Sequence, residues 1–361
     1  MTKAISRRYL EDNVLEAAQK RMKLIFDHFD NVVVSASSGK DSTVIYWLAV
    51  EEAMRRNRKV KVFFLDQEAE YQASIDLIRE MMSHPAVEPM WYQVPLYMTS
   101  AVGYEVDQLF AWGEDEDWMR PKDPIAIHSI SGTYPRRFYP FFEWMEGQQP
   151  DGTAFLVGLR AGESLNRFRA VIKNPSFQGI PWSSKTCRKN SHKFYPIYDW
   201  GTGDIWRYIH TTNRAYNRIY DLMYQKNGNF YNTMRVSYLA HEKSFKCLTD
   251  LQEMEPATYA ALLKRLPGAH LASIYGKDAV VFNARKLPVS FATWKEYRDH
   301  LLATIPTDKR HRFADRFNGQ PDTDHYHRQQ CRQLMTNDWE NSLSTTKPKK
   351  TDWKDKWKQI L

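Results

Sequence analysis

Apolar positions near the amino terminus recur every third or fourth residue, at Val14, Ala18, Met22, Ile25 and Phe29. This spacing predicts a helix with one buried face. Short apolar runs follow at 32–34, 59–66 and 89–96, and helical spacing returns between them at 44–48 and 71–82. Strands that alternate with helices of this length predict right-handed βαβ units. We therefore expect an α/β fold with an open, mostly parallel twisted sheet and helices on both faces.

The pattern changes further along the chain. Periodicity fades over residues 97–149, where aromatic residues mix with acids and bases, and we expect a long insertion that serves as a lid or binding loop. The alternation of strands and helices then resumes, before helical spacing dominates the last part of the chain. We therefore expect an N-terminal helical segment (1–30), an α/β domain (31–245) and a mainly helical C-terminal region with a basic tail (246–361).

Composition narrows the class of protein. A chain of 361 residues with 42% hydrophobic and 26% charged residues is typical of a globular protein with a large core. It contains no apolar run of about 18 residues, so we expect no membrane span. The N-terminus lacks the apolar stretch of a secretory signal, and three unpaired cysteines fit a reducing cytoplasm. The diffuse net charge of +8 leaves an anionic nucleotide or a nucleic acid open as partner.

The first junction between a strand and a helix carries the strongest candidate chemistry. Residues 31–50 read NVVVSASSGKDSTVIYWLAV, so a strand ends in small residues and passes directly into a helix. Such a junction presents several backbone N–H groups at one point, where the helix dipole adds partial positive charge. We expect a phosphate to be bound there by the small and hydroxyl residues Ser35, Ser37, Ser38, Gly39 and Ser42.

Two charged residues refine this prediction. Lys40 adds a point charge for a phosphate. Asp41 would repel a phosphate unless a cation lies between them, and Mg²⁺ at Asp41 would resolve that conflict. The spacing also differs from the G-x-x-x-x-G-K-[ST] pattern of a Walker A loop. The alternative is an ordinary turn with a capping serine, which this run of suitable residues disfavours.

Three motifs resemble one family. SSGKDS (37–42) resembles the PP-loop of the adenine nucleotide α-hydrolase superfamily, S-G-G-x-D-S. VGLRAGESLNR (157–167) is similar to the G-x-R-x-x-E-S-x-x-R element of its phosphoadenosine phosphosulfate (PAPS) reductase branch, and YPIYDWGTGDIWRYI (195–209) to that branch's D-W-x-x-x-D-[IV]-W segment. LDQEAEYQAS (65–74) and the helical C-terminus look most like the immunoglobulin-binding regulator A subgroup, whose members are encoded beside a ParB-like nuclease-fold protein.

The resemblance implies a set of nucleotide contacts. The loop amides, Lys40 and Ser42 would hold the β- and γ-phosphates of ATP, with Mg²⁺ at Asp41. Adenine would lie on the backbone of Phe64 and Leu65 near Asp66. The second motif would contribute Gly158, Arg160 and Arg167, with Arg160 at the α-phosphate or an acidic substrate. For Arg167 a structural ion pair with Glu163 is the alternative. Asp204 and Trp206 of the third motif are better explained as a helix cap and a core residue.

The residues favour ATP over PAPS reduction. Reductases of this fold use a cysteine in an E-C-G-[IL]-H segment, whereas the last cysteine here, Cys331, lies in RQQCRQL. Three dispersed cysteines fall short of the four thiolates usual for an iron–sulfur cluster, so we expect none. Lys40 and Asp41 are retained, as in the small subunit of ATP sulfurylase. We therefore expect cleavage of ATP between its α- and β-phosphates, with adenylyl transfer.

Two other functions stay open. One is an enzyme that uses PAPS or adenylyl sulfate; the other is a nucleotide-sensing regulator that acts with the ParB-like partner. Cys187 bears on the first, because it lies among basic residues in SSKTCRKN. Such neighbours would lower a thiol pKa, and the residue could face the site. A buried or incidental cysteine explains the residue better.

Overall fold

The computed structural model describes residues 10–102, 108–172, 175–228, 234–241, 245–266, 268–270, 273, 286–339 and 341. The basic tail and the first nine residues of the predicted N-terminal segment therefore lie outside the described residues. Within the described part, no helix combines the length and hydropathy needed to cross a membrane.

Strands span Asn31–Ser35 (β1), Val60–Leu65 (β2), Val87–Tyr92 (β3), Leu96–Thr99 (β4), Gln108–Ala111 (β5), Thr153–Val157 (β6), Ser183–Lys185 (β7) and His192–Phe194 (β8). Helices span Val14–His28 (α1), Lys40–Arg55 (α2), Gln72–Met82 (α3), Phe138–Gly147 (α4), Leu165–Ile172 (α5), Thr202–Thr212 (α6), Ile219–Asn227 (α7), Phe245–Met254 (α8), Pro256–Arg265 (α9), Trp294–Thr304 (α10), Thr307–Phe317 (α11) and Asp324–Met335 (α12). A 3₁₀ turn covers Ala161–Glu163.

Six strands form one sheet in the order β3-β2-β1-β6-β8-β7. The first five run parallel, and β7 joins β8 antiparallel at one edge. The chain builds outward from β1 to β3, and then returns to place β6 on the other side of β1. The predicted fold class, an open and mostly parallel sheet with helices, is confirmed.

Both faces of the sheet are covered, which explains the continuous apolar runs of its strands. Val32 and Val34 of β1 point into one core, where they meet α1, α2 and α6. Val33, between them, points into a second core on the opposite face. Residues on β6 follow the same alternation, because successive side chains of a strand point to opposite faces.

The insertion predicted over 97–149 packs against the second face. Its strands β4 and β5 pair as a hairpin, and Leu109, Trp112 and Phe141 are buried in the second core. Helices α8 and α9, which begin at positions 245 and 256, contribute to the same core through Leu251 and Leu262, among others.

Helices α10 to α12 build a third, smaller core from Ile305, Phe313, Phe317, Leu334 and Trp339. Thr293 caps α10, because its hydroxyl accepts from the amide of Glu296 at 3.1 Å. The Glu296 carboxylate accepts from Ala292 N rather than from the cap residue itself.

Candidate nucleotide-binding site

The predicted phosphate loop lies where the strand order of the sheet reverses. Residues 37–42 follow β1, and Gly158 and Arg160 follow β6, the neighbour of β1 on the other side from β2. Because β1 and β6 are parallel and adjacent, both segments leave the sheet side by side at the carboxyl ends of these strands. Open α/β sheets bind ligands in the crevice at such a reversal, outside the carboxyl ends of the strands.

Three serines and a glycine shape the loop at the start of α2. Gly39 is the N-cap residue, and its carbonyl accepts from the hydroxyl of Ser42 at 2.9 Å. The Ser42 hydroxyl also accepts from the amide of Ser37 at 3.2 Å, so the loop is folded back on the helix. The amides of the first turn of a helix have no acceptor within the helix. The amides of Asp41 and Ser42 can therefore donate to a bound anion.

Ser38 is the strained member of the loop. Its φ of 53° lies in the left-handed region, which non-glycine residues rarely adopt. Its side chain is only 1% exposed, and its Oγ has no hydrogen-bond partner among the described residues. A buried hydroxyl without a partner is costly, so a ligand oxygen in the loop would remove that cost.

A row of side chains with alternating charge lies beside the loop, at the carboxyl ends of β1 and β6. Asp41 contacts Lys40, with 3.3 Å between Oδ2 and Nζ, and accepts from Arg160 Nε at 2.5 Å. Arg160 also lies 3.4 Å from Glu163, which pairs in turn with Arg167. Arg160 is therefore at the loop, as the family resemblance implies. Arg167 is linked to the loop through Glu163 and Arg160. Its contact with Glu163 is the structural ion pair given above as the alternative.

Gly158 allows close approach of two backbones. A Cβ built on it would lie 2.7 Å from the amide nitrogen of Ser42 and 2.8 Å from the carbonyl carbon of Asp41. The residue thus lets the end of β6 pack directly against the first turn of α2. Ser35 ends β1 two residues before the loop and pairs with Val157.

The proposed adenine contacts lie at the end of the adjacent strand. Phe64 and Leu65 sit in β2, paired with β3, and both side chains are buried. Asp66 is fully buried and accepts from the side chains of Trp91, Gln93 and Arg120 and from the amide of Glu68. Its carboxylate is therefore engaged in holding the segment after β2, and the adenine contact stays a prediction.

Two further residues contact the loop, and nothing in the sequence indicates them. The Asn217 amide donates to Ser38 O at 3.3 Å and to Ser74 Oγ at 2.8 Å. The Tyr220 hydroxyl accepts from the amide of Lys40 at 3.0 Å. Asn217 lies just before α7 and Tyr220 in its first turn, both beyond the third motif, and no spacing in the sequence marks them.

Cys187 does not face the loop, which agrees with a cysteine that has no role there. It precedes β8, which runs parallel to β6. Because β6 ends at the loop, Cys187 lies at the amino ends of these strands, on the side of the sheet opposite to the loop. Burial and the nearby Glu146 carboxylate raise the pKa of its thiol. Arg188, the basic residue next to it in sequence, pairs with Asp151. Cys331 is buried on α12, and burial raises its pKa to about 12.

The predicted roles in the third motif agree with the structure. Asp204 accepts from the amide of Gly201 at 2.7 Å and caps α6. Trp206 is partly buried and packs against both main cores. Neither residue needs a chemical role to explain its position.

The residues present fit a Mg²⁺ ion that is bound together with a nucleotide. Asp41 contributes a carboxylate at the loop, and no group of three or more metal-binding side chains occurs within the described ranges. Mg²⁺ is commonly held by one or two carboxylates together with substrate phosphates and water. Asp41 could fill that role only with the phosphates in place.

Comparison with known proteins identifies the family of the chain. A model of the phosphoadenosine phosphosulfate reductase domain matches residues 31–235, and a model of a domain of unknown function (DUF3440) matches residues 228–350. The uncharacterized protein YbdN of Escherichia coli (strain K12) is 30% identical over 81% of this chain and 76% of its own length. An adenosine 5'-phosphosulfate reductase of Oceanobacillus iheyensis is 22% identical over 63% of this chain and 82% of its own length.

A solved structure of PAPS reductase from Candida auris has 14% identity and a TM-score of 0.31, covering 60% of this chain and 94% of that chain. The immunoglobulin-binding regulator A subgroup stays a prediction. The reductase-domain match covers more than half of the 361 residues and includes the loop, Arg160 and Tyr220. The chain belongs to the phosphoadenosine phosphosulfate reductase domain family.

Proposed function

We propose that the protein binds Mg-ATP at the loop of residues 37–42 and cleaves it between the α- and β-phosphates. The observation that carries this proposal is the contact of Lys40, Asp41 and Arg160 at the reversal of strand order. Two cations and one carboxylate at the start of a helix suit a polyphosphate bound with a metal ion. A sulfonucleotide without a pyrophosphate group would have less need of that carboxylate.

Each residue has a role in this proposal. The first-turn amides and Lys40 bind the β- and γ-phosphates, and Arg160 stabilises the charge that develops on the α-phosphate. Asp41 holds Mg²⁺, which supplies charge neutralisation to the phosphates when bound. A nucleophile donates its electron pair to the α-phosphorus, the bond from that phosphorus to the bridging oxygen breaks, and pyrophosphate leaves with the bonding pair. With water as the nucleophile, the products are AMP and pyrophosphate.

Two of the three thiols support ATP over a reductive reaction. Thiol attack on sulfur requires an accessible and activated cysteine. Cys187 lies on the side of the sheet opposite to the loop and Cys331 is buried in the C-terminal helices, with raised thiol pKa values in both cases. Neither is suited to attack a substrate in the loop.

A second candidate is an enzyme that binds PAPS or adenylyl sulfate. It is favoured by the family of the chain and by relatives such as the adenosine 5'-phosphosulfate reductase of Oceanobacillus iheyensis. The ParB-like partner and a role in nucleotide sensing stay predictions from the resemblance, and contact with nucleic acid stays a prediction from the net charge.

The test is incubation with Mg²⁺ and either ATP, PAPS or adenylyl sulfate, with mass spectrometry of the products. We expect pyrophosphate with AMP or an adenylylated product. Lys40→Ala should abolish turnover and weaken ATP binding. Lys20→Ala is the matched control, because Lys20 is an exposed lysine on α1 that pairs with Asp12.

Two outcomes would contradict the proposal. Release of adenosine 3',5'-bisphosphate from PAPS with a thiol reductant, and no change in ATP, would favour the second candidate. Failure of the purified protein to bind any of the three nucleotides would exclude both candidates.

A further inference from the structure

The hydroxyl of Tyr220 lies at the point where a phosphate is expected. It accepts from the amide of Lys40, the first residue of α2, although the two residues are 180 positions apart. A Cβ built on Gly39 would lie 3.4 Å from Ser37 Oγ, 3.8 Å from the Tyr220 hydroxyl and 4.0 Å from Ser42 Oγ. Three hydroxyls thus surround the N-cap of this helix, and one of them comes from α7.

The hydroxyl of Tyr220 still has a proton to donate. A phenol has one donor and can also accept, and Lys40 uses only the accepting side. Within the part of the chain that the structure describes, no acceptor takes the proton of Tyr220. The side chain is 2% exposed, and burial raises its pKa, so the proton is retained at neutral pH.

The ring of Tyr220 is held firmly. It packs edge-on against Trp206, with 5.2 Å between ring centroids, and the ammonium of Lys40 lies 5.9 Å from its centroid. Asn217 fixes the start of α7 to the loop through Ser38. The hydroxyl therefore has a defined position before any ligand binds, which lowers the entropy cost of a contact.

Ser38 gives an independent indication of a ligand. Its buried hydroxyl has no partner among the described residues, and it lies in the same loop. Two buried hydroxyls at one helix terminus, each with unused hydrogen-bonding capacity, favour the binding of a ligand with several oxygens. A phosphate group has that chemistry.

We propose that Tyr220 is a phosphate-binding residue. Its hydroxyl accepts a hydrogen bond from the Lys40 amide and donates one to a phosphate oxygen of the bound nucleotide. The inference rests on the proposed nucleotide site and adds to it a donor from α7. It applies to any nucleotide with a phosphate in the loop, whether ATP or a sulfonucleotide.

The test compares Tyr220→Phe with the parent protein by calorimetric titration of ATP, inorganic pyrophosphate and adenosine. The variant keeps the ring and its packing and removes only the hydroxyl. We expect the Kd for ATP and for pyrophosphate to rise about tenfold or more, because hydrogen bonds to charged groups are the stronger ones. The Kd for adenosine should not change.

Tyr216→Phe is the matched control, because the hydroxyl of Tyr216 donates to Asp221 rather than to the loop. All variants are measured at a temperature where circular dichroism shows them folded. An unchanged Kd for pyrophosphate in Tyr220→Phe would overturn the inference and leave the nucleotide site intact. Tighter binding would also overturn it, because the hydroxyl would then compete with phosphate for the Lys40 amide. If the parent protein binds neither nucleotide nor pyrophosphate, both proposals fail.

Discussion

Replacing Gly158 by alanine tests whether the end of β6 sets the position of the phosphate loop. The added Cβ would meet three backbone atoms of α2, at 2.7 Å, 2.8 Å and 2.9 Å. Backbone atoms cannot swing aside as the end of a flexible side chain can. The first turn of α2 must therefore move away from β6 by roughly half an ångström, because the interior is close-packed.

The size of the effect follows from this overlap. Overpacking of a well-packed site costs about 1–3 kcal/mol, and we expect Gly158→Ala to lower the free energy of unfolding by about 2 kcal/mol. The same shift moves the amides of Asp41 and Ser42 relative to Arg160. We expect the Kd for ATP to rise about tenfold, because small misplacements of binding groups are costly.

The assay is urea unfolding followed by circular dichroism, together with titration of ATP into the folded protein. Gly162→Ala is the matched control, because a Cβ on Gly162 would meet nothing within 4 Å. We expect this control to change stability by less than about 0.5 kcal/mol. If Gly158→Ala matched the control in both measurements, the proposed contact between β6 and α2 would have no role in the site.

Three further predictions concern charge and sulfur. Burial and the charge of Asp66 raise the pKa of Glu70 to about 8, so the stability that the protonated carboxyl contributes is lost as the pH rises from about 5 to 8. The unfolding free energy of Glu70→Gln should match that of the parent at pH 5 and exceed it by on the order of 4 kcal/mol at pH 9. Equal stability of the two proteins at both pH values would refute this. Arg160→Gln and Asp41→Asn should be coupled by about 1–3 kcal/mol in a double-mutant cycle of unfolding, and additive effects would exclude their ion pair. Cys187→Ser should leave product formation from ATP unchanged, and loss of activity would restore a role for this thiol.

The sheet and the loop could be predicted because their signals are local. The apolar run of β1, the small residues after it and the helical spacing from Val44 all lie within 20 residues of sequence. Parallel strands with helices between them then bring the loop to one edge of the sheet. The family motifs added Arg160, whose contact with Asp41 spans 119 positions.

The contacts of α7 could not be predicted in the same way. Asn217 and Tyr220 occur in RAYNRIYD, where nothing in residue type or spacing indicates a loop partner. Their role depends on how the segment after α6 packs against α2. The hydrogen bond from Trp47 Nε1 on α2 to the carbonyl oxygen of Ala215 is one contact of this packing. Tertiary packing of this kind leaves no periodic signal.

The direction of the Cys187 pKa shift could not be predicted from the sequence for a related reason. Bases beside it in sequence suggested a low thiol pKa, but neighbours in sequence need not be neighbours in space. The carboxylate that approaches the thiol is Glu146, from α4, about 40 positions earlier. A thiol pKa depends on such distant groups as much as on the adjacent ones.

The contact between Tyr220 and Lys40 has a consequence for the order in which the protein becomes functional during synthesis. The loop emerges from the ribosome early, but its last partner follows 180 residues later. Until α7 has been made, the Lys40 amide and the Ser38 carbonyl lack the partners that hold them. We therefore expect a nascent chain that stops before Asn217 to contain the loop without a high affinity for nucleotide. Nucleotide would then stabilise the finished domain rather than guide its early folding.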